Sequence, residues 1–171
     1  MRTSWKPSLP GSKNTLFHIK YGSVIWLIFS AIFSAFSQSR IDSLEQVLAK
    51  AIGNHKAELL YVLSWEYRFS DKDKALRYGE EGLQLATELR DTGAITSSLN
   101  SISETWLNFG DYEKAEKITR EELVYARVIP QKKNLLGGLT RMGTIKYRMG
   151  KFDEALVYQL EVQREAEKLN K

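Results

Sequence analysis

The amino-acid sequence predicts an all-α protein, a solenoid of about three helical hairpins with an N-terminal capping helix, behind a leader segment. Three observations predict it: a forty-residue repeat, apolar side chains at helical spacing within each repeat, and a basic stretch followed by an apolar one in the first 37 residues. The predicted domains are the leader (1–37), the capping helix (38–54) and the repeat domain (55–171), with units at about 56–92, 93–130 and 131–171.

The leader has the features of a secretory signal peptide. It carries four basic and no acidic residues, followed by the apolar run 24–36 and a small residue, Ser37, after which cleavage is expected. An uncleaved membrane anchor is the alternative, but a membrane-spanning helix needs about 20 apolar residues. Under either interpretation the rest of the chain is expected outside the inner membrane, periplasmic or secreted, because the basic end stays cytoplasmic.

The repeat is clearest at Ala75, Ala115 and Ala155, which are forty residues apart. Similar residues follow the same spacing in five further columns: Leu59, Leu99 and Leu139; Val62, Ile102 and Met142; Tyr78, Ile118 and Tyr158; Ala86, Ala126 and Ala166; Leu89, Ile129 and Leu169. The apolar positions of each unit fall on one helical stripe, so each unit is predicted to be a pair of amphipathic helices.

Six repeat helices and one capping helix are predicted. The repeat helices are expected at about 56–69, 72–89, 93–108, 112–128, 131–149 and 152–169, and the cap within 41–48. The final helix poses a problem, because solenoids usually end with a helix whose outer face is polar. Either the last helix is its own cap, or the chain is a piece of a longer protein, or another subunit covers this end.

The turns between paired helices resemble those of tetratricopeptide repeats (TPRs). The resemblance rests on the segments 110–115 (GDYEKA) and 150–155 (GKFDEA), and on Leu139, Met142 and Gly143 at the spacing of that family's first-helix signature. It covers about residues 57–171, although the usual period is about 34 residues. The first unit aligns in two ways: without a gap Leu63 takes the small-residue position, and with a one-residue deletion before Ala75 that position falls to Ser64.

Composition argues against several functional classes. The formal charge of +4 comes entirely from the leader, and the remaining 21 basic and 21 acidic residues do not favour nucleic-acid binding. The chain has no cysteine, two histidines and no common metal, phosphate or nucleophile motif, so no catalytic residue, cofactor or metal site is predicted. The carboxylate pairs at 80–81 and 121–122 are expected on solvated helix faces.

The TPR resemblance implies a partner-binding groove lined by the first helix of each unit. Carried over unit by unit, the groove residues are Tyr61, Trp65 and Arg68, then Asn100, Glu104 and Leu107, then Thr140, Thr144 and Tyr147. The first three depend on the gapped alignment. Trp65 and Arg68 are candidate anchors, because aromatic and Arg side chains often dominate binding energy. An equally weighted alternative places Trp65 in the core.

The predicted function is therefore an exported interaction module that binds a peptide or protein partner without catalysis. The long period and the segment 65–68 (WEYR) also resemble the extracytoplasmic repeat regions of bacterial sensor histidine kinases. The alternative is accordingly the input region of a truncated or split signal-transduction protein. In that case the membrane is reached through the leader or through a signalling partner. The sequence does not specify an oligomeric state.

Overall fold

The computed structural model describes residues 39–130 and 132–169, so the predicted leader lies outside the described residues. The chain divides into two compact units, residues 1–42 and 43–171. The described residues form seven helices and no strand, which confirms the all-α prediction: α1 (39–48), α2 (Gly53–Tyr67), α3 (Lys72–Glu88), α4 (Thr92–Asn108), α5 (Tyr112–Val128), α6 (Lys132–Arg148) and α7 (Phe152–Leu169).

An aspartate starts each of the helices α3, α4 and α5. The side chains of Asp71, Asp91 and Asp111 each accept a hydrogen bond from the backbone N–H three residues later, at 3.0, 3.0 and 3.1 Å. These bonds satisfy a backbone donor that has no partner inside the helix, and the negative charge suits the positive end of the helix dipole. The sequence thus fixes these helix starts locally.

A glycine ends the first helix of the second and third hairpins. Gly110 has a left-handed backbone (φ 81°), which lets the N–H of Asp111 donate to the carbonyl oxygen of Trp106 at 3.0 Å. Gly150 (φ 76°) repeats the arrangement in the third hairpin. Glycine adopts this conformation without steric cost, so the two turns have the same geometry because both contain a glycine at this position.

The first hairpin turn is one residue shorter, which decides between the two alignments of the first unit. There the N–H of Asp71 donates to the carbonyl oxygen of Tyr67 at 3.0 Å, so Tyr67 corresponds to Trp106. Ser64 lies against Gly79, where an added Cβ would come within 2.9 Å of its Oγ. The missing residue is thus the turn glycine, and Ser64 occupies the small-residue position.

Two of the predicted columns are therefore wrong in the first unit. Leu60 and Leu63, both fully buried, take the core positions that the ungapped pattern assigned to Leu59 and Val62. The ungapped pattern fails because helical apolar stripes are wide enough to tolerate a shift of one residue.

Glu45 of the capping helix α1 contacts both helices of the first hairpin. Glu45 accepts hydrogen bonds from the hydroxyls of Tyr67 in α2 and Tyr78 in α3, at 3.1 and 2.9 Å. The two tyrosine rings stack with their centroids 5.9 Å apart. Burial and the hydrogen bond to Glu45 raise the pKa of Tyr78 to about 12. Glu45 thus joins α1 to both helices of the hairpin.

The predicted helix bounds hold to within three residues. The largest difference is at α2, which begins at Gly53 instead of 56 and ends at Tyr67 instead of 69. The predicted domain boundary between 54 and 55 therefore lies inside α2. Four residues, 49–52, connect α1 to α2, so Asn54 and His55 belong to α2.

Candidate partner-binding surface

The first helices of the three hairpins lie side by side. α4 contacts both α2 and α6, whereas the backbones of α3, α5 and α7 do not approach one another in the described part of the chain. We call the face formed by α2, α4 and α6 the first-helix surface. It corresponds to the face on which the sequence placed all nine groove residues.

A cavity of about 500 Å³ opens on this surface between α4 and α6. It is lined by Asn100, Glu104 and Leu107 from α4 and by Lys133, Asn134, Leu136, Gly137, Thr140, Arg141 and Thr144 from α6. Five of the nine predicted groove residues are in this set. The structure therefore brings together predicted residues from the second and third units, and adds five that the sequence did not indicate.

The three predicted residues of the first unit lie apart from this cavity. Tyr61 lines another cavity of about 430 Å³ between the N-terminal halves of α2 and α4. Trp65 and Arg68 form a pair in which the guanidinium carbon lies 3.9 Å from the centre of the indole ring. The Arg68 Nη1 also donates to the carbonyl oxygen of Trp65. Both side chains are half-buried, so Trp65 is neither enclosed in the core nor free.

Tyr147 lies near the C-terminal end of α6, beside the start of α7. Its ring meets that of Phe152 edge-on, with the centroids 5.4 Å apart, and both rings line a cavity of about 430 Å³ between α6 and α7. Thr144 lines this cavity as well as the one between α4 and α6. Tyr147 is thus separated from most of the predicted groove.

The floor of the α4–α6 cavity is a buried charge network centred on Arg141. Its Nε donates to Oε2 of Glu104 in α4 at 2.8 Å, and its Nη1 donates to Oε2 of Glu122 in α5 at 2.5 Å. The second oxygen of Glu122 accepts from Nδ2 of Asn100 at 3.5 Å. Arg141 therefore ties α6 to both helices of the preceding hairpin.

The network corrects one expectation about carboxylates. Glu122 was expected on a solvated face, yet its side chain is fully buried, while Glu121 is exposed. Burial raises the pKa of Glu122 to about 7, against the attraction of Arg141 and the Asn100 hydrogen bond. The repeat held a signal for this pair, since Glu122 and Arg141 stand forty residues after the small residues Gly82 and Ser101.

The arrangement suits binding better than acid–base chemistry. A carboxyl group with a pKa near neutral is common in active sites. The Glu122 side chain, however, has no solvent-accessible surface through which a substrate proton could reach it. No group of three His, Cys, Asp or Glu side chains within residues 39–130 and 132–169 could hold a metal ion. The accessible polar groups of the cavity are amides, hydroxyls, one lysine and the partly exposed carboxylate of Glu104, which is paired with Arg141.

Comparisons with known proteins establish the fold and not a family. No protein-family model matches the chain, and no curated protein sequence matches it. Among solved structures the chain is similar to a Rap protein complexed with competence and sporulation factor, with a TM-score of 0.69 and 19% sequence identity. The match covers 84% of this chain and 42% of that chain, so this chain spans less than half of its length. The fold is a TPR-like helical repeat.

Proposed function

We propose that this protein binds an extended segment of a peptide or protein partner on its first-helix surface, without catalysing a reaction. The observation that supports the proposal is the cavity between α4 and α6, which gathers five of the residues that the TPR resemblance implied for the groove. The Rap protein of similar fold is complexed with competence and sporulation factor, which is consistent with partner binding by this fold. At 19% sequence identity, no binding role of an individual residue is carried over from that structure.

The chemistry of the cavity fits a peptide backbone with mixed side chains. Asn100 from α4 and Asn134 from α6 offer amide groups that can both donate and accept hydrogen bonds. Leu107 and Leu136 supply apolar contact beside them. Lys133 is exposed and has no ion-pair partner within the described residues, so it favours a carboxylate on the bound segment.

Selection from a displayed random-peptide library, followed by affinity measurement, tests the proposal. Peptides enriched on the purified chain are expected to bind Asn134→Ala and Leu107→Ala variants at least ~10-fold more weakly, equivalent to about 1.4 kcal/mol. The matched control is Val124→Ala, which alters an exposed apolar residue of α5 away from the cavity. Failure to enrich any peptide, or equal weakening by the control, would contradict the proposal.

We further propose that binding takes place outside the inner membrane. The support is the leader, with its basic segment, its apolar run 24–36 and the small residue Ser37. None of the described helices is long and apolar enough to span a membrane. Expression with the native leader in a bacterial host, followed by fractionation and mass measurement, is expected to yield a periplasmic chain starting at Gln38.

An intact chain recovered with the membrane would instead favour the alternative function, an input region that acts with a membrane signalling partner. A full-length chain in the cytoplasm would contradict both interpretations of the leader.

A further inference from the structure

α7 differs from the other repeat helices because none of its residues is buried. Its apolar side chains Phe152, Leu156 and Leu160 follow one another at intervals of four residues and are 62%, 60% and 50% exposed. Val157, beside them, is 63% exposed. Side chains four residues apart share a helix face, so α7 presents a continuous apolar stripe. This rules out the expectation that α7 serves as its own polar cap.

The repeat shows that stacking of another hairpin does not account for the whole stripe. Val157 corresponds to Arg77 and Lys117 in the earlier second helices, and all three positions are exposed. Leu160 likewise corresponds to the exposed residues Glu80 and Arg120. Because α3 and α5 keep these positions in solvent while a hairpin packs after them, a following hairpin would leave Val157 and Leu160 uncovered.

The charged residues beside the apolar stripe favour a second copy of α7 as its binding partner. Asp153 lies near the N-terminal end of the stripe and Arg164 near its C-terminal end, and both are exposed. Neither forms a hydrogen bond or ion pair within the described residues. A two-fold axis between residues 158 and 159 places Asp153 opposite Arg164 of a second, antiparallel copy of α7. The same axis places Val157 opposite Leu160 of that copy, so one charge pair and one apolar pair share this register, while Leu156 lies at the level of Glu161.

We propose that α7 is a self-association surface, on which a second copy of this chain docks through its own α7 in antiparallel orientation. Two-fold contacts of this type are self-complementary, so each pair occurs twice. α7 has 18 residues, which corresponds to a length of about 27 Å. A contact made by one helix face of each chain is at the small end for specific interfaces, so we expect a weak dimer that forms only at high protein concentration. The stripe adjoins the first-helix surface at Phe152 and Leu156, which line a cavity with Thr144 and Tyr147, but it does not include the α4–α6 cavity.

Sedimentation equilibrium of the full chain tests the contact. The wild-type chain is expected to shift from monomer to dimer with rising concentration, and Leu160→Asp to remain monomeric at ~10-fold higher concentration. The matched control Val124→Asp, at an apolar position on α5 that is 67% exposed, should dimerise like the wild type. Association that persists in Leu160→Asp, for example through the apolar segment 24–36, would overturn the proposal, as would a monomer at every concentration.

Charge reversal tests the register and the two-fold symmetry. Asp153→Arg and Arg164→Asp should each weaken the dimer, because each places like charges opposite one another twice. The double variant, and an equimolar mixture of the two single variants, should recover it. Both single variants are expected to keep the helix, because these exposed side chains have no partner within the described residues, and Glu154 keeps an acidic residue in the first turn of α7 when Asp153 is replaced. Lack of recovery in both cases would reject the antiparallel register.

Cross-linking gives a third readout that does not depend on affinity alone. The chain has no native cysteine, so introduced ones are the sole thiols. A mixture of Val157→Cys and Leu160→Cys chains should form a disulfide-linked dimer on mild oxidation. A mixture of Val157→Cys and Val124→Cys chains should not. Equal cross-linking in the two mixtures would indicate random collision and contradict the proposal.

Discussion

The two junctions between successive hairpins pack corresponding helices in different ways. At the first junction, where α4 meets α2 and α3, small neutral residues allow close contact: Ser64 donates to Ser101 at 2.9 Å beside Gly79 and Gly82. At the second junction, where α6 meets α4 and α5, the ion pair between Glu122 and Arg141 fills the corresponding space.

The difference shows that corresponding positions of the repeat keep the total side-chain volume at a junction more strictly than the polarity of those side chains. Glu122 replaces Gly82, and the adjacent position in the next helix shrinks from Ser98 to Gly138. A Cβ on Gly138 would lie 2.9 Å from a methyl carbon of Leu123, so no larger residue fits without rearrangement. The second junction therefore gains charge at the bottom of the candidate binding cavity, while the first stays neutral.

The largest effect is expected from Arg141→Met, which leaves Glu122 buried without its cation. We expect a loss of about 3–5 kcal/mol in the free energy of unfolding at pH 8, measured by urea denaturation. The loss should be smaller at pH 5, where Glu122 can bind a proton. The double variant Glu122→Leu/Arg141→Met should regain most of the stability, because it removes both buried charges. An Arg141→Met cost no larger than that of Ser101→Ala would contradict the comparison.

The second largest expected effect is a pH dependence of the free energy of unfolding that arises at the second junction and not at the first. The pKa of Glu122 is raised from 4.5 to about 7 in the folded chain. Its contribution to stability is thus fully present below pH ~4.5 and is lost as pH rises through 7, an effect on the order of 3 kcal/mol. Glu122→Gln should remove this component.

The difference between the wild-type and Glu122→Gln stability curves isolates the effect from the other carboxylates. Glu116 and Glu154, whose pKa values are lowered by hydrogen bonds to Lys146, act in the opposite direction and are common to both curves. Parallel curves between pH 4.5 and 7 would show that Glu122 is charged throughout. Ser101→Ala, at the neutral junction, serves as the control with an unchanged slope.

Close packing at the first junction predicts an intermediate effect for Gly79→Ala. The added Cβ would lie 2.6 Å from Cγ1 of Ile102, so we expect a loss of about 1–3 kcal/mol by thermal or urea unfolding. The matched control is Gly137→Ala, where no atom lies within 4 Å of the added Cβ. This helical position should gain up to about 1 kcal/mol. The same sign for both variants would contradict the packing difference.

The smallest effect is expected from Ser101→Ala. It removes a hydroxyl that accepts from Ser64 and donates to the carbonyl oxygen of Ser98 at 2.9 Å. Such neutral hydrogen bonds contribute about 1 kcal/mol each, so a loss of about 1–2 kcal/mol in the free energy of unfolding is expected. A loss above ~3 kcal/mol would show that the neutral first junction is as sensitive to substitution as the charged second junction, which would contradict the comparison.

Much of the fold could be predicted because it is encoded locally. The aspartates before α3, α4 and α5 and the turn glycines at 110 and 150 are short-range signals, and the predicted bounds of α5 and α7 match the structure. The residues of the candidate site could be predicted from the sequence only in part. Asn100, Glu104 and Thr140 were found through the repeat register, whereas Lys133 and Asn134 carry no sequence signal that separates them from ordinary surface residues.

The sequence by itself determined the hairpins and their number, because helical periodicity and capping depend on neighbours within a few residues, and the TPR resemblance implied that the first helices share one face. Only the tertiary structure decided the rest. The one-residue offset of α2 depended on which leucines were enclosed, and the buried state of Glu122 depended on Arg141, 19 residues away. The burial of a charged residue on an amphipathic helix is set by the helix that packs against it, and for Glu122 the sequence held only the indirect signal of the small residue Gly82 forty residues earlier.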